Sequence, residues 1–278
     1  MKKHLIALDL DGTLLKDDKT ISTKTWKVIQ QAKHAGHTIA IATGRPYRAS
    51  KMYYQQLGLS TPIVNFNGAY VHHPADRSFR SFHEPLDLDL ARTVIETCRT
   101  LNVQNMLAEV LDDVYMDEHD ESFIDLLAFQ GPVTGAGRLE RVLPNSPTSL
   151  LVYPQEGTAE RLQELLSSSE AQGMHQRSWG EPHHMIEIIK KGNHKANGLE
   201  KVAAYAGLTM EDVIAFGDED NDLEMLEAAG TGLAMGNAST DTKSVANEVI
   251  GTNEEDGIAH YLEERLKLSA YDPVLFKN

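Results

Sequence analysis

Leu5-Ile6-Ala7-Leu8 is an unbroken apolar run cut off at once by Asp9-Leu10-Asp11-Gly12-Thr13. A strand with one wet face alternates apolar and polar residues, so a short continuous run reads as a strand buried on both faces, the situation of a parallel sheet covered by helices. The residues that follow fit that setting. Ser22 can cap a helix running to about Ala35, Gly36 supplies its stop, and residues 37–42 (HTIAIA) form a second buried strand. A strand, a helix and a second strand of this kind make a βαβ unit. Pro46 opens another helix ending near Gly58, Pro62-Ile63-Val64-Asn65 is a third strand, and Asn67-Gly68 turns the chain into a hairpin partner beginning at Ala69.

From Glu84 to Lys190 the rhythm changes. Helix patterns at 87–101, 121–129 and 158–170 are mixed with the strand-like pieces NMLAEV, DVYMD, SLLVY and MIEII, while residues 130–147 carry three Gly and three Pro and read as a connection. After Gly192 the α/β rhythm returns, with helices at 195–206, 221–229, 240–246 and 256–267 and strands DVIAFG and TGLAMG. At 278 residues the chain is long for one domain. The expected architecture is therefore a Rossmann-like parallel α/β core built from residues 1–82 and 192–278, with an inserted α+β domain, residues 83–191, capping its strand ends. Residues 269–278 show no periodicity and read as a docked or frayed tail.

With 26 Lys and Arg against 41 Asp and Glu, the formal charge is −15, which argues against a nucleic-acid partner held by a general basic surface. A small anionic substrate then needs locally placed cations. No stretch approaches the length of apolar chain that a membrane helix requires, and the single cysteine, Cys98, sits in a helical pattern that reads as a buried structural thiol. The expectation is a cytoplasmic protein without a membrane partner, monomeric or a small homo-oligomer.

Alternation along an extended backbone sends Asp9 and Asp11 to one side, and Gly12 permits a sharp exit. In an open parallel sheet, ligands bind beyond the carboxyl ends of the strands, which is where this pair falls. Thr43-Gly44-Arg45 follows the second strand and can offer a hydroxyl, backbone N–H groups and a guanidinium to an anion. The strand DVIAFG ends in Gly217-Asp218-Glu219-Asp220-Asn221-Asp222, a second acidic cluster on the same rim. Carboxylates gathered in this way repel unless a cation sits among them, and oxygen-only ligation suits Mg²⁺. Taken singly, these segments read more readily as caps and turns, and Lys195 as a solvated lysine at a helix start. Their joint order on successive strand ends is what points to a site.

In these motifs the sequence resembles the haloacid dehalogenase-like phosphohydrolases of the Cof type: Asp9-Leu-Asp11-Gly-Thr13-Leu, Ala42-Thr43-Gly44-Arg45-Pro46, Lys195, and Gly217-Asp218-Glu-Asp-Asn221-Asp222, in that order. Phe66-Asn67-Gly68-Ala69 and Met235-Gly236-Asn237-Ala238 also match the group, whereas Ala196 stands where a glycine is usual. The resemblance implies a phosphatase of small phosphorylated metabolites such as sugar phosphates, flavin mononucleotide or pyridoxal phosphate. It implies Asp9 as nucleophile and Asp11 as general acid and base, with Thr43, Gly44 and Lys195 on the phosphoryl oxygens and Asn221 orienting the phosphoryl group or Lys195. It implies Mg²⁺ held by the carboxylates of Asp9 and Asp218 and the carbonyl of Asp11, with Asp222 as a further or water-mediated ligand. Lys195 is expected in an exposed cleft. The same motifs would serve a phosphomutase or phosphotransferase, or a regulatory protein with a vestigial core. A calcium loop over Asp218-x-Asp220-x-Asp222 fails at its sixth and twelfth positions, Leu223 and Ala229. Tyr115, Trp179, His183 and His184 of the insert are candidates to stack on a substrate, although core or surface placement is the commoner use of such residues.

Overall fold

A computed structural model describes residues 2–126, 132–168, 173–179 and 184–268; the proposed tail and His183 lie outside the described residues. The chain divides into two compact units: one comprises the chain up to Arg45, Ser50–Phe82 and the chain from His194 onward, the other Pro46–Ala49 and His83–Asn193.

The first unit is built on a five-stranded parallel sheet. Its spatial order is Glu248–Val249, Thr231–Ala234, Val213–Gly217, Leu5–Leu8 and Thr38–Ile41. The run that opened the sequence is thus a central strand, with Leu8 level with Phe216 on one side and Ile41 on the other. All four of its side chains are fully buried. Leu5 and Ala7 pack in one cluster with Leu199, Val202 and Ala203 of the helix Lys195–Tyr205, while Ile6 and Leu8, pointing the opposite way, are equally sealed. Two covered faces account for the absence of alternation in the sequence. Ser22 caps the helix Thr23–His34 by accepting from Thr25 N, and Gly36 takes a φ of +88° just beyond its end. Ile63–Asn65 pairs antiparallel with Tyr70–His72 through a loop in which Asn67 and Gly68 both have positive φ. A Cβ on Gly68 would collide with the carbonyl of His194, so this loop can lie against the start of the helix Lys195–Tyr205 only with glycine there.

The second unit has a six-stranded sheet ordered Met174–Ser178, Ile186–Lys190, Ser149–Tyr153, Asn105–Val110, Asp113–Met116 and Gly135–Ala136, antiparallel except for the last pair. One face carries Met106, Ala108, Leu150, Val152, Ile186 and Ile188 against apolar residues of the helices Leu88–Thr100 and Ala159–Ser168. Cys98 lies in this core, where burial pushes its thiol up to about 12, as expected of a structural cysteine. Elsewhere in the sheet Glu109 is buried, its carboxylate accepting from the Arg48 guanidinium and from Ser149 Oγ at 2.6 Å. Two expectations need correction. The described part of 130–147 is not only connection, since it contains Gly135–Ala136 and a helical turn, Leu139–Val142. Met174–Ser178 is a strand that the polar sequence MHQRS did not reveal, because an edge strand need not present an apolar face. Among the described residues, no helix is long and apolar enough to cross a membrane.

Candidate active site

The chain leaves the central strand Leu5–Leu8 in one direction to Thr38–Ile41 and later returns on its other side at Val213–Gly217. That reversal of strand order opens a crevice at the carboxyl ends. Asp9 and Asp218 are the first residues past the two strands flanking it, and Asp9 N still donates to Phe216 O at 3.2 Å. Gly12, at φ +72°, turns the backbone so tightly beside Asp218 that any Cβ would run into that carboxylate. Thr13 closes the turn from Asp11 by donating its hydroxyl to Asp218 Oδ1 at 2.7 Å.

Lys195 occupies the first position of the helix Lys195–Tyr205, whose N-cap is His194. A cation is disfavoured at a helix N-terminus, so something must offset it. Its ammonium lies 2.7 Å from Asp9 Oδ1 and 2.7 Å from Asp222 Oδ1, and its side chain is 0% exposed. The expected exposed cleft lysine is therefore a buried one: three carboxylates require an internal counter-charge, and the ammonium follows them out of water. Asp222 is anchored further, its Oδ2 accepting from the backbone N–H groups of Asp218 at 3.0 Å and Glu219 at 3.2 Å. Asp9, Asp218 and Asp222 each offer an oxygen within 4.8 Å of the others.

One ammonium does not neutralise three buried carboxylates. Burial raises the Asp9 carboxyl well above the ordinary carboxylate range, with the charges of Asp222 and Asp218 adding to it against the opposing pull of Lys195. Burial likewise brings Asp218 to about 7, opposed by the Thr13 hydrogen bond. A cluster that holds its own negative charge this reluctantly, made only of oxygen donors, fits a hard divalent cation such as Mg²⁺.

Asp11 has a different environment. Its carboxylate is turned to Arg45, with Nε 2.6 Å from Oδ2 and Nη2 2.6 Å from Oδ1, and Lys19 Nζ lies 2.9 Å from Oδ1. Burial alone would raise Asp11, but the hydrogen bonds and charges of Arg45 and Lys19 outweigh it and hold the group at about 2. Thr43 is buried, with its Oγ1 accepting from Arg45 N at 3.1 Å. Gly44 lies beside the Asn67 side chain, where a Cβ would press on the amide at 3.1 Å. Asn221 Nδ2 donates to Asn67 Oδ1 at 2.9 Å, so in this structure it orients the loop at Asn67 and not Lys195.

The sequence-derived residues Asp9, Asp218, Asp222 and Lys195 are thus one connected cluster, and Asp11, Thr43 and Arg45 a neighbouring one. Sequence reasoning missed Lys19, the link from Asn67 to Asn221, and Asn237, whose Nδ2 donates to Gly12 O at 2.8 Å. The matches at Phe66-Asn67-Gly68-Ala69 and Met235-Gly236-Asn237-Ala238 were the available signals for the last two. Of the aromatic candidates, Tyr115 packs against the core of the second unit, while Trp179 and His184 are exposed.

A model of the haloacid dehalogenase-like hydrolases matches residues 6–262, almost the whole described chain. The chain belongs to that family. Within it, the chain falls in the Cof-type branch whose motifs it carries. The 5-amino-6-(5-phospho-D-ribitylamino)uracil phosphatase YitU of Bacillus subtilis is 51% identical over 96% of this chain and 99% of its own. The pyridoxal phosphate phosphatase YbhA of Escherichia coli is 32% identical over 96% of this chain and 100% of its own. Among solved structures, the phosphatase BT1666 of Bacteroides thetaiotaomicron is similar with a TM-score of 0.77 and 25% identity, covering 94% of each chain. This Cof-type protein is accordingly an enzyme, a hydrolase with an α/β core and an inserted domain.

Proposed function

We propose that this Cof-type hydrolase is a Mg²⁺-dependent phosphatase that works through an aspartyl-phosphate on Asp9, and that its substrate is 5-amino-6-(5-phospho-D-ribitylamino)uracil. The observation that carries the mechanism is the buried cluster in which Asp9 shares Lys195 with Asp222 and faces Asp218. The identity of 51% to YitU over nearly the full length of both chains supports the substrate.

Asp9 and Asp218 would hold Mg²⁺ through their carboxylates, and Asp11 through its carbonyl. Asp222, with both oxygens already engaged, serves chiefly to fix Lys195. The bound cation would supply the positive charge that lets a carboxylate approach a phosphate. A carboxylate oxygen of Asp9 attacks phosphorus as the bond from phosphorus to the ester oxygen breaks, and Lys195, together with Thr43 and the N–H groups at Gly44, takes up charge on the phosphoryl oxygens. Asp11, ionised while Arg45 and Lys19 hold it at about 2, would have to leave those cations and take up a proton before giving it to the leaving oxygen. It then accepts a proton from the water that attacks phosphorus, the bond from Asp9 to phosphorus breaks, and inorganic phosphate leaves. The second unit would select the ester as the substrate-specificity cap.

The deciding measurement is phosphate release from the ribitylaminouracil ester, pyridoxal phosphate, flavin mononucleotide and a set of sugar phosphates, with Mg²⁺ and with chelator. A kcat/KM for the ribitylaminouracil ester at least tenfold above the others supports the substrate assignment. Preference for another ester removes that assignment and leaves the chemistry, whereas full turnover in chelator removes the metal. Transfer of phosphate to a second hydroxyl in place of water would favour the phosphotransferase reading.

A further inference from the structure

We propose that Asn237 is a positioning residue for the cation site, holding the backbone at Gly12 at a fixed separation from that of Asp218. The inference rests on the Mg²⁺ reading above and adds to it a residue that acts through the backbone alone. Mg²⁺ tolerates little departure from octahedral geometry, so the protein has to set the spacing of its oxygen ligands. Those ligands come from two strand ends, and Thr13 and Asp218, which face each other across them, are 205 positions apart in the chain. The Thr13 hydroxyl fixes the Asp218 side chain. It does not fix the two backbones.

The backbones are joined by residues 235–239, which follow the next strand of the sheet, Thr231–Ala234. Met235 N donates to Gly217 O at 3.0 Å and Ser239 N to Asp218 O at 3.0 Å, so this segment is tied to the Asp218 strand end at both of its ends. Between them Ala238 N donates to Met235 O at 2.9 Å, closing a β-turn with Asn237 at its third position. From there Asn237 Nδ2 reaches across to Gly12 O at 2.8 Å. One short segment thus holds both sides of the site. It is itself fixed, with Met235 and Ala238 buried and Lys243 Nζ donating to Gly236 O at 2.8 Å. The Asn237 amide is oriented as well, because its Oδ1 accepts from Asn253 N at 3.1 Å and leaves Nδ2 for Gly12. The turn after Asp9 closes through Leu14 N to Asp9 O at 3.3 Å and Leu15 N to Leu10 O at 2.8 Å, bonds that do not use the Gly12 carbonyl. A glycine at φ +72° leaves the peptides on either side of it free to swing, and one of these carries the Asp11 carbonyl assigned to Mg²⁺. Asn237 removes that freedom by gripping the other. Asn253 adds a second hold further along, its Nδ2 donating to Leu15 O at 2.9 Å.

The test is Asn237→Ala, with Asn253→Ala and Glu254→Ala beside it, read by calorimetric titration of Mg²⁺ without substrate and by Tm in chelator. Asn237 is exposed, so Asn237→Ala should keep the Tm of the parent. Its Kd for Mg²⁺ should rise about fivefold, near what one neutral hydrogen bond contributes and below the larger losses seen when partners of charged ligands are removed. Phosphate release should then need correspondingly more Mg²⁺ for half its maximum, with kcat returning to the parent's at saturation. Asn253→Ala keeps its backbone N–H on Asn237 and should weaken binding less. Glu254→Ala frees Asp17 N and Lys16 on the following hairpin and should leave the Kd unchanged. A Kd for Asn237→Ala within about twofold of the parent's overturns the inference, the loss being then smaller than a hydrogen bond in use would give. So does an equal loss in Glu254→Ala, which would make the effect a general loosening of the hairpin, or a larger loss in Asn253→Ala, which would move the anchor to Leu15. A parent protein that binds no Mg²⁺ would instead remove the metal, and the role of Asn237 with it, a failure distinguishable from that of Asn237 alone.

Discussion

Replacing Lys195 with methionine keeps the length and most of the volume of the side chain and removes only the charge. In the parent, the ammonium is sealed from solvent and makes two ion pairs of 2.7 Å, with Asp9 and Asp222. Taking one partner from a buried ion pair costs about 3–5 kcal/mol, because the charge left behind keeps its desolvation penalty. Proton uptake by the carboxylates limits that cost near neutral pH, Asp218 already lying at about 7 with the lysine present. A loss of roughly 3 kcal/mol in chelator is therefore expected, near 1 M in urea midpoint for an m-value of about 3 kcal/mol/M. The reporter is Trp26, whose Nε1 donates to Gln56 O at 3.0 Å in the first unit; the other tryptophan, Trp179, belongs to the second unit and is replaced by phenylalanine. Mg²⁺ at a hundredfold its Kd should stabilise the parent by about 2.7 kcal/mol. The variant should gain at least as much, because its cluster lacks any other cation. A variant within about 0.5 kcal/mol of the parent in chelator would refute the argument that the ammonium offsets the buried carboxylates, and turnover reduced less than ~100-fold with Mg²⁺ present would refute its part in the reaction.

Asp9→Asn should abolish both turnover and phosphoenzyme, whereas Asp11→Asn should slow both half-reactions and, with a good leaving group, let label accumulate on the peptide containing Asp9; acid quench with mass spectrometry reads both, and label on Asp11 would reverse the roles. In chelator, the raised Asp218 contributes stability that is fully present below its unfolded value of about 3.8 and is lost as pH rises through about 7. Urea midpoints should therefore fall across that window, and Asp218→Asn should flatten the slope. Cys98, with its thiol at about 12, should resist a thiol reagent at pH 8 until urea unfolds the second unit; prompt labelling of the native protein would contradict its burial.

The parallel core was legible because its strands are short apolar runs ending in polar turns, so both covered faces and the rim carrying Asp9 and Asp218 follow from pattern alone. Lys195 was legible as a site residue but not as a buried one, since a lysine at a helix start is ordinarily solvated and only the three carboxylates around it reverse that. Arg45 was legible as an anion-binding group but not as the partner of Asp11, and Lys19 escaped altogether. Their convergence on Asp11 joins residues 8 and 34 positions away from it along the chain, and no local pattern signals such a contact. No single substrate was legible either: the resemblance named a range of phosphate esters, and no spacing in residues 83–191 identifies a leaving group.

The second unit is not a single continuous insertion, because it takes in Pro46–Ala49 as well as His83–Asn193. Exchanging the second unit with that of a relative by cutting at 83 and 193 would transplant Glu109 without Arg48, leaving a buried carboxylate with Ser149 but no guanidinium wherever the recipient has no arginine at that place. A chimaera built that way should fold poorly for a reason unrelated to either parent's substrate. The transferable module is two segments long, and its smaller piece begins immediately after Thr43-Gly44-Arg45.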